Sequence, residues 1–183
     1  MKNAIYPIIV ALLGLLFFVG CGKQSDISVE KILTSLQSDV ETIVSIEMAT
    51  EETDTNNLLG KQGSYIELGW FTDARIKQQY DLQIAEANRN AEESRREGYE
   101  FSNRWEYDSA EEMLKGITRG GGIEKFRNEK DAKKREELLD AVLGTPFSPG
   151  YHERIGVFVI RVSNKLTASQ QKEYAEKIKQ AMK

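Results

Sequence analysis

Ile155-Gly156-Val157-Phe158-Val159-Ile160-Arg161-Val162 is apolar at nearly every position and rich in β-branched residues. Such a run predicts a strand covered on both faces, and so the centre of a sheet. What flanks it is helical. Thr167, with Gln170 three residues on, has capping-box spacing, and Tyr174, Ala175, Ile178, Ala181 and Met182 form one stripe of a terminal helix. Upstream, Asn128 predicts the cap of a helix to about Leu143, with Ala132, Leu138, Leu139, Val142 and Leu143 as its apolar face. Gly144 stops it, and Pro146, Pro149 and Gly150 mark a turn. Before it, Ile123 to Phe126 reads as a short strand, introduced by a turn or bulge at Gly120-Gly121-Gly122.

The first half repeats the alternation of helix and strand. Ser28 is a candidate N-cap, and Val29, Ile32, Leu33 and Leu36 share a helical face up to about Gln37. Val44, Ile46 and Met48 alternate with Ser45 and Glu47, predicting a strand with one buried face. A second strand, Tyr65 to Phe71, sets Ile66, Leu68 and Trp70 on one side. Residues 74–119 form an excursion. Residues 74–97 have no proline or glycine and only a thin apolar stripe, Ile76, Tyr80, Ile84, Ala87 and Ala91, as in a solvated helix. A second helical piece opens at Asp108-Ser109-Ala110-Glu111 and runs through Met113, Leu114 and Ile117. The aromatics between, Tyr99, Phe101, Trp105 and Tyr107, are expected to pack the excursion onto the domain. The whole predicts a single α+β domain over 28–183, a small mixed or antiparallel sheet of about four strands backed by helices.

The chain begins with a basic Met1-Lys2-Asn3 and an apolar run from Ala4 to Gly20. That run is marginal for a ~30 Å hydrocarbon core. It reads as a signal peptide over residues 1–20, ahead of Cys21, the only cysteine of the chain. Phe18-Val19-Gly20-Cys21-Gly22 resembles the lipobox of bacterial lipoproteins, with Phe18 where leucine is commonest. The resemblance implies cleavage before Cys21, lipid on its thiol, and a protein held at the extracytoplasmic face of the cell membrane. Two or three acyl chains make such attachment lasting, at ~0.8 kcal/mol per buried methylene. Residues 21–27 are then a lipidated tether whose six residues after Cys21 reach at most ~20 Å. With no other cysteine, the exported domain must fold without disulfides.

Three stretches together carry a further likeness: Thr53-Asp-Thr-Asn-Asn-Leu-Leu-Gly-Lys-Gln-Gly-Ser-Tyr65, Phe71-Thr-Asp-Ala-Arg75, and Gly121-Gly-Ile-Glu-Lys-Phe-Arg-Asn-Glu-Lys-Asp-Ala132, followed by Arg161-Val-Ser-Asn-Lys-Leu-Thr167. They resemble a family of small, uncharacterised secreted or lipid-anchored proteins of Gram-positive bacteria, with Thr55 in place of that family's usual proline. The likeness covers about half of the chain after Cys21. It implies export and a compact domain, and it transfers no activity.

The chain carries 25 Lys and Arg against 29 Asp and Glu, a net charge of −4. That balance argues against nucleic acid, where clustered basic charge supplies most of the affinity. It argues equally against flat binding to anionic lipid. One histidine, His152, and one cysteine exclude a His/Cys zinc site. Glu51, Glu52, Asp54, Asn56 and Asn57 crowd one loop, but their spacing is not that of an EF-hand, and Asp and Asn side chains bonding local amides explain them. His152 has no nucleophile motif nearby and suits a surface position. The triglycine run lacks the ending of a P-loop and precedes a strand, not a helix.

No cofactor is implied. The leading expectation is a non-enzymatic domain that binds an envelope protein or a small ligand. Its candidate surface is the loop at Asp54, Asn56, Asn57, Leu58, Leu59 and Tyr65, with Asp73 and Arg75 close by. Leu58, Leu59, Tyr65 and the 99–107 aromatics are expected to gather as an apolar patch. The alternative is an envelope hydrolase using a carboxylate pair drawn from Asp54, Asp73 and Glu124. A weaker one is an exclusion or immunity lipoprotein of a mobile element.

Overall fold

The computed structural model describes residues 27–96, 119–145, 148 and 150–183. The expected signal peptide, Cys21 and the expected second helical piece with its aromatics lie outside them. Helix α1 is Val29–Asp39, β1 Ile43–Met48, β2 Tyr65–Asp73, α2 Ala74–Arg96, β3 Arg119–Phe126, α3 Glu129–Asp140, β4 Gly150–Ile155, β5 Phe158–Ser163 and α4 Ala168–Ala181. The strands form one sheet in the order β1-β2-β3-β5-β4, every neighbouring pair antiparallel. The α+β class holds, with five strands in place of about four.

The extra strand comes out of the opening run itself. Ile155 to Val162 is not one strand. It breaks at Gly156-Val157, and Ile155 pairs with Phe158 across the break. Gly156 has φ +58°, a left-handed conformation that a two-residue hairpin turn requires. The second arm behaves as expected: Val159, Ile160 and Val162 are fully buried. The first arm, β4, is the sheet edge, and its mixed polar residues Tyr151-His-Glu-Arg154 hid it.

One face of the sheet is covered by α1 and α4. Ile32, Leu33 and Leu36 of α1 and Tyr174, Ala175 and Ile178 of α4 pack on Phe71, Ile123, Ile160 and Val162. The Ser28 cap on Lys31 N and the capping box of Thr167 and Gln170 form as expected. The entry to α1 is fixed by a pair that the sequence did not announce. Glu67 Oε2 accepts from Val29 N, and buried Lys125 donates to Glu67 Oε1 and to the Ile27 carbonyl, each at 2.9 Å.

The opposite face holds Tyr65, Leu68, Trp70, Phe126 and Val159, with Ala132 and Leu139 of α3 over part of it. Three expectations need correction here. In β1 the pairing slips between Ile43 and Ser45, so Ile43 is buried while Val44 is exposed. In β2 a slip between Tyr65 and Glu67 places Tyr65, rather than Ile66, with Leu68 and Trp70. In α3 the inward face is Ala132, Arg135 and Leu139, whereas Leu138 and Leu143 are exposed. Of the turn or bulge expected at the triglycine run, the bulge is what forms, with Gly120 the extra residue where the β2–β3 pairing slips between Phe71 and Thr72. The run is the start of β3, and a Cβ there would strike the rings of β2: Phe71 from Gly120 at 2.6 Å and from Gly121 at 2.7 Å, and Trp70 from Gly122 at 2.9 Å.

Candidate functional site

Asp54 is buried and fully occupied. Its Oδ1 accepts from Asn56 N at 3.2 Å and from the Tyr65 hydroxyl at 2.7 Å; its Oδ2 accepts from Leu58 N at 2.7 Å and Leu59 N at 2.8 Å. Burial works against its charge, but the Tyr65 hydroxyl and the three amides outweigh it and hold the carboxyl below the ordinary aspartate range. Burial and the same bond push Tyr65 up to about 12. The long loop between β1 and β2 is therefore closed on its own Asp54 carboxylate. Asn57 takes φ +51° at its tip, a conformation asparagine tolerates. Of the expected apolar patch, the 99–107 aromatics lie outside the described residues, and the loop's own part does not form: Tyr65 is buried, Leu59 packs inward against the sheet, and only Leu58 is exposed.

Asp73 ends β2. Its carboxylate is wholly buried and accepts from Arg75 N at 2.8 Å, from Arg75 Nε at 3.0 Å, from Arg75 Nη2 at 2.6 Å and from the Tyr174 hydroxyl. Thr42 Oγ1 lies 2.8 Å from the same hydroxyl. Burial opposes the Asp73 charge, and Arg75 and Tyr174 overcome it. Arg75 pairs with Asp73, one of the two partners expected for it, but the expected approach of Asp54 to Asp73 does not occur. Asp54 is bonded to Tyr65 at the start of β2 and Asp73 stands at its end; at ~3.4 Å per residue these are roughly 25 Å apart. They also lie on opposite faces of the sheet.

Glu124, also wholly buried, sits under α3. Arg135 donates to it from Nε at 2.8 Å and Nη2 at 3.0 Å, and Arg161 Nη2 stands 2.9 Å away. His152, expected at the surface, is in β4 with its ring almost fully enclosed and Nε2 3.0 Å from Asp140. Its partner across the ladder is Arg161.

Beside this triad the same face is open. Glu47, Trp70, Gly122, Arg161 and His152 form one row across the five strands. Arg119 lies over Trp70, its guanidinium carbon 3.5 Å from the ring centroid, with Glu47 at 3.9 Å. The stacking supplies part of what a buried cation loses in water. A cleft of about 340 Å³ opens here, lined by Thr55 and Asn56 of the loop, Trp70, Arg119, Gly121, Gly122, Arg161 and Ser163. Arg119 Nε and Arg161 Nε are both buried without a hydrogen-bond partner. Burial, and beside it the charge of Arg161, lowers Arg119 below the ordinary guanidinium range against the opposing pull of Glu47. A smaller recess of about 240 Å³ lies within the loop, along Glu51, Asp54, Asn57, Leu59, Gly60 and Lys61.

Of the expected site residues, Asn56 reaches the cleft, Asn57, Leu59 and Asp54 line the smaller recess, and Asp73 with Arg75 belongs to another face. The expectation missed Arg119, Arg161 and Trp70. Arg161 carried a signal, since a cation inside a strand covered on both faces needs a partner. Among the described residues no His, Cys, Asp and Glu group could hold a metal ion, and no helix is long and apolar enough to cross a membrane. Comparison of the chain with protein-family models, with curated proteins and with solved structures found no match.

Proposed function

We propose that the chain is a lipid-anchored extracytoplasmic domain that works by binding, and that its ligand docks in the Trp70–Arg119–Arg161 cleft. The observation that carries this reading is a contrast between anions and cations. Asp54, Asp73 and Glu124, the carboxylates on which a hydrolase reading depended, are each saturated by donors within the fold. A carboxylate held by several donors is a poor proton carrier near neutral pH. The free bonding capacity lies with the arginine N–H groups of the cleft. The anchor is read from Phe18 to Gly22, and the short tether after it joins the domain at Ile27, beside Lys125.

Two measurements test the reading. Cys21→Ala should abolish acylation and cutting at this site; an unmodified Cys21 in the mature wild-type protein overturns the anchor. A filling contact in the cleft should change the fluorescence of Trp70 on exposure to an envelope extract. Quenching that survives Trp70→Phe overturns the cleft as the docking place.

A further inference from the structure

Two cations face one opening with donors to spare, and we infer that this cleft is a receptor for a phosphoryl group carried by a soluble or polymeric ligand. This rests on the cleft being the binding site of the domain.

The donors define the chemistry. Arg119 and Arg161 both line the cleft, each with about a fifth of its side chain exposed, and among the described residues the enclosed Nε–H of each has no acceptor. An anion in the cleft meets the exposed part of each arginine, and a small shift of either guanidinium toward it would satisfy a donor whose burial without a partner costs about 1–3 kcal/mol. Their like charges, close enough to depress Arg119, are relieved by an anion between them. Ser163 Oγ accepts from Lys165 N, which leaves its O–H free to donate. Thr55 and Asn56 add a hydroxyl and an amide at the rim. Two guanidinium donors with hydroxyls on other sides exceed the two oxygens of a carboxylate and suit the three terminal oxygens of a phosphate monoester. Gly121 and Gly122 keep the floor low, because no side chain rises from the strand there.

The supports are built in. Glu124 takes Arg161 Nη2, which fixes that guanidinium beside the cleft. Trp70 carries the Arg119 plane. The volume, about 340 Å³, admits a phosphate and the group that bears it.

The place of the tether decides between sources of phosphate. The chain enters the domain at Ile27, bonded to Lys125, on the sheet face that carries α1 and α4, whereas the cleft opens beside Trp70 on the opposite face. The cleft therefore opens on the face turned away from the point of entry, toward ligand in the wall space and not toward the headgroups of its own bilayer.

The test uses the full lipidated protein in neutral detergent, titrated calorimetrically with inorganic phosphate and glycerol 3-phosphate, and separately inserted in vesicles with and without phosphatidylglycerol. Saturable binding of both soluble probes is expected, weakened at least tenfold by Arg119→Ala and only partly restored by Arg119→Lys. Arg119 is the informative position because among the described residues its ion-pair contact is the 3.9 Å approach to Glu47, so its loss spares the Glu124 triad. Phosphate binding that persists in Arg119→Ala, or its absence from the wild-type protein, overturns the inference. Acetate competing as well as phosphate overturns the phosphoryl preference. Displacement of glycerol phosphate by phosphatidylglycerol in the vesicle overturns the assignment to a soluble source. An unmodified Cys21 in the mature protein, with phosphate binding intact, would sink the lipoprotein reading alone.

Discussion

The Tyr65 hydroxyl donates to Asp54 Oδ1 at 2.7 Å, and that bond joins the loop after β1 to the first residue of β2. It makes Asp54 a clamp. Asp54→Ala would leave the Leu58 and Leu59 amides and a buried phenol without acceptor, at about 1–3 kcal/mol for each group that stays dry. Chemical denaturation should show a loss of several kcal/mol, with Asn57→Ala costing only about 1 kcal/mol, since its side chain is exposed and the cost is that of placing alanine at φ +51°. Equal stability of Asp54→Ala and the wild type would rule out the clamp.

Glu124 with Arg135 and Arg161 is a buried ionic triad. Removing the carboxylate strands two cations, and Glu124→Ala should cost about 3–5 kcal/mol. Replacing all three by apolar residues of similar size should recover most of that loss. A urea midpoint for the triple variant as low as that of Glu124→Ala would show that the triad contributes more than charge balance.

How far this was legible in the sequence depends on which contact fixed each element. The helices at Val29 and Ala168 were readable because Ser28, Thr167 and Gln170 are local signals and the apolar spacing is regular. The hairpin at Gly156 was not, because a central strand and a hairpin arm share the same apolar composition, and only the positive φ of one glycine separates them. The bulge at Val44 moved the burial pattern by one residue, a shift that single-strand alternation cannot reveal. The cleft needed residues from three strands and a loop, Trp70, Arg119, Arg161 and Asn56, so no spacing along the chain pointed to it.

Acid should loosen the fold through two aspartates. Asp54 and Asp73 both sit below their unfolded value of 3.8. A depressed carboxyl contributes stability that is complete above the unfolded value and disappears as pH falls through the folded one. The melting temperature should thus be nearly flat from about pH 7 to 5 and fall below about pH 4. Asp73→Asn should melt lower at neutral pH and fall less steeply in acid. An unchanged acid slope in that variant would exclude Asp73 as a contributor.

At the alkaline end the sign reverses. Burial, then the bond to Asp73, raises Tyr174 from 10.0 to about 12. A raised group contributes stability that is complete below the unfolded value and is lost as pH rises through the folded one. Tyrosinate absorbance should show a late step near pH 12, where Tyr65 and Tyr151 also titrate. Tyr174→Phe should reduce that step by about one tyrosine of three. A late step of undiminished size would place the perturbation elsewhere.

Gly122 gives the sharpest packing test. A Cβ there would lie 2.9 Å from Trp70 Cδ1 and 3.1 Å from the Gly69 carbonyl, with the strand backbone unable to retreat between its two neighbours. The indole must tilt, and it carries Arg119 with it. Overpacking of this size costs about 1–3 kcal/mol. In a Trp105→Phe background, which leaves Trp70 as the sole tryptophan, Gly122→Ala should shift the emission of Trp70 and lower the urea midpoint. Gly144→Ala controls for backbone alone, since φ there is +74° and no atom lies within 4 Å of an added Cβ. It should destabilise without moving the tryptophan emission. If both glycine variants leave the emission unchanged, the triglycine run does not exist to seat the indole.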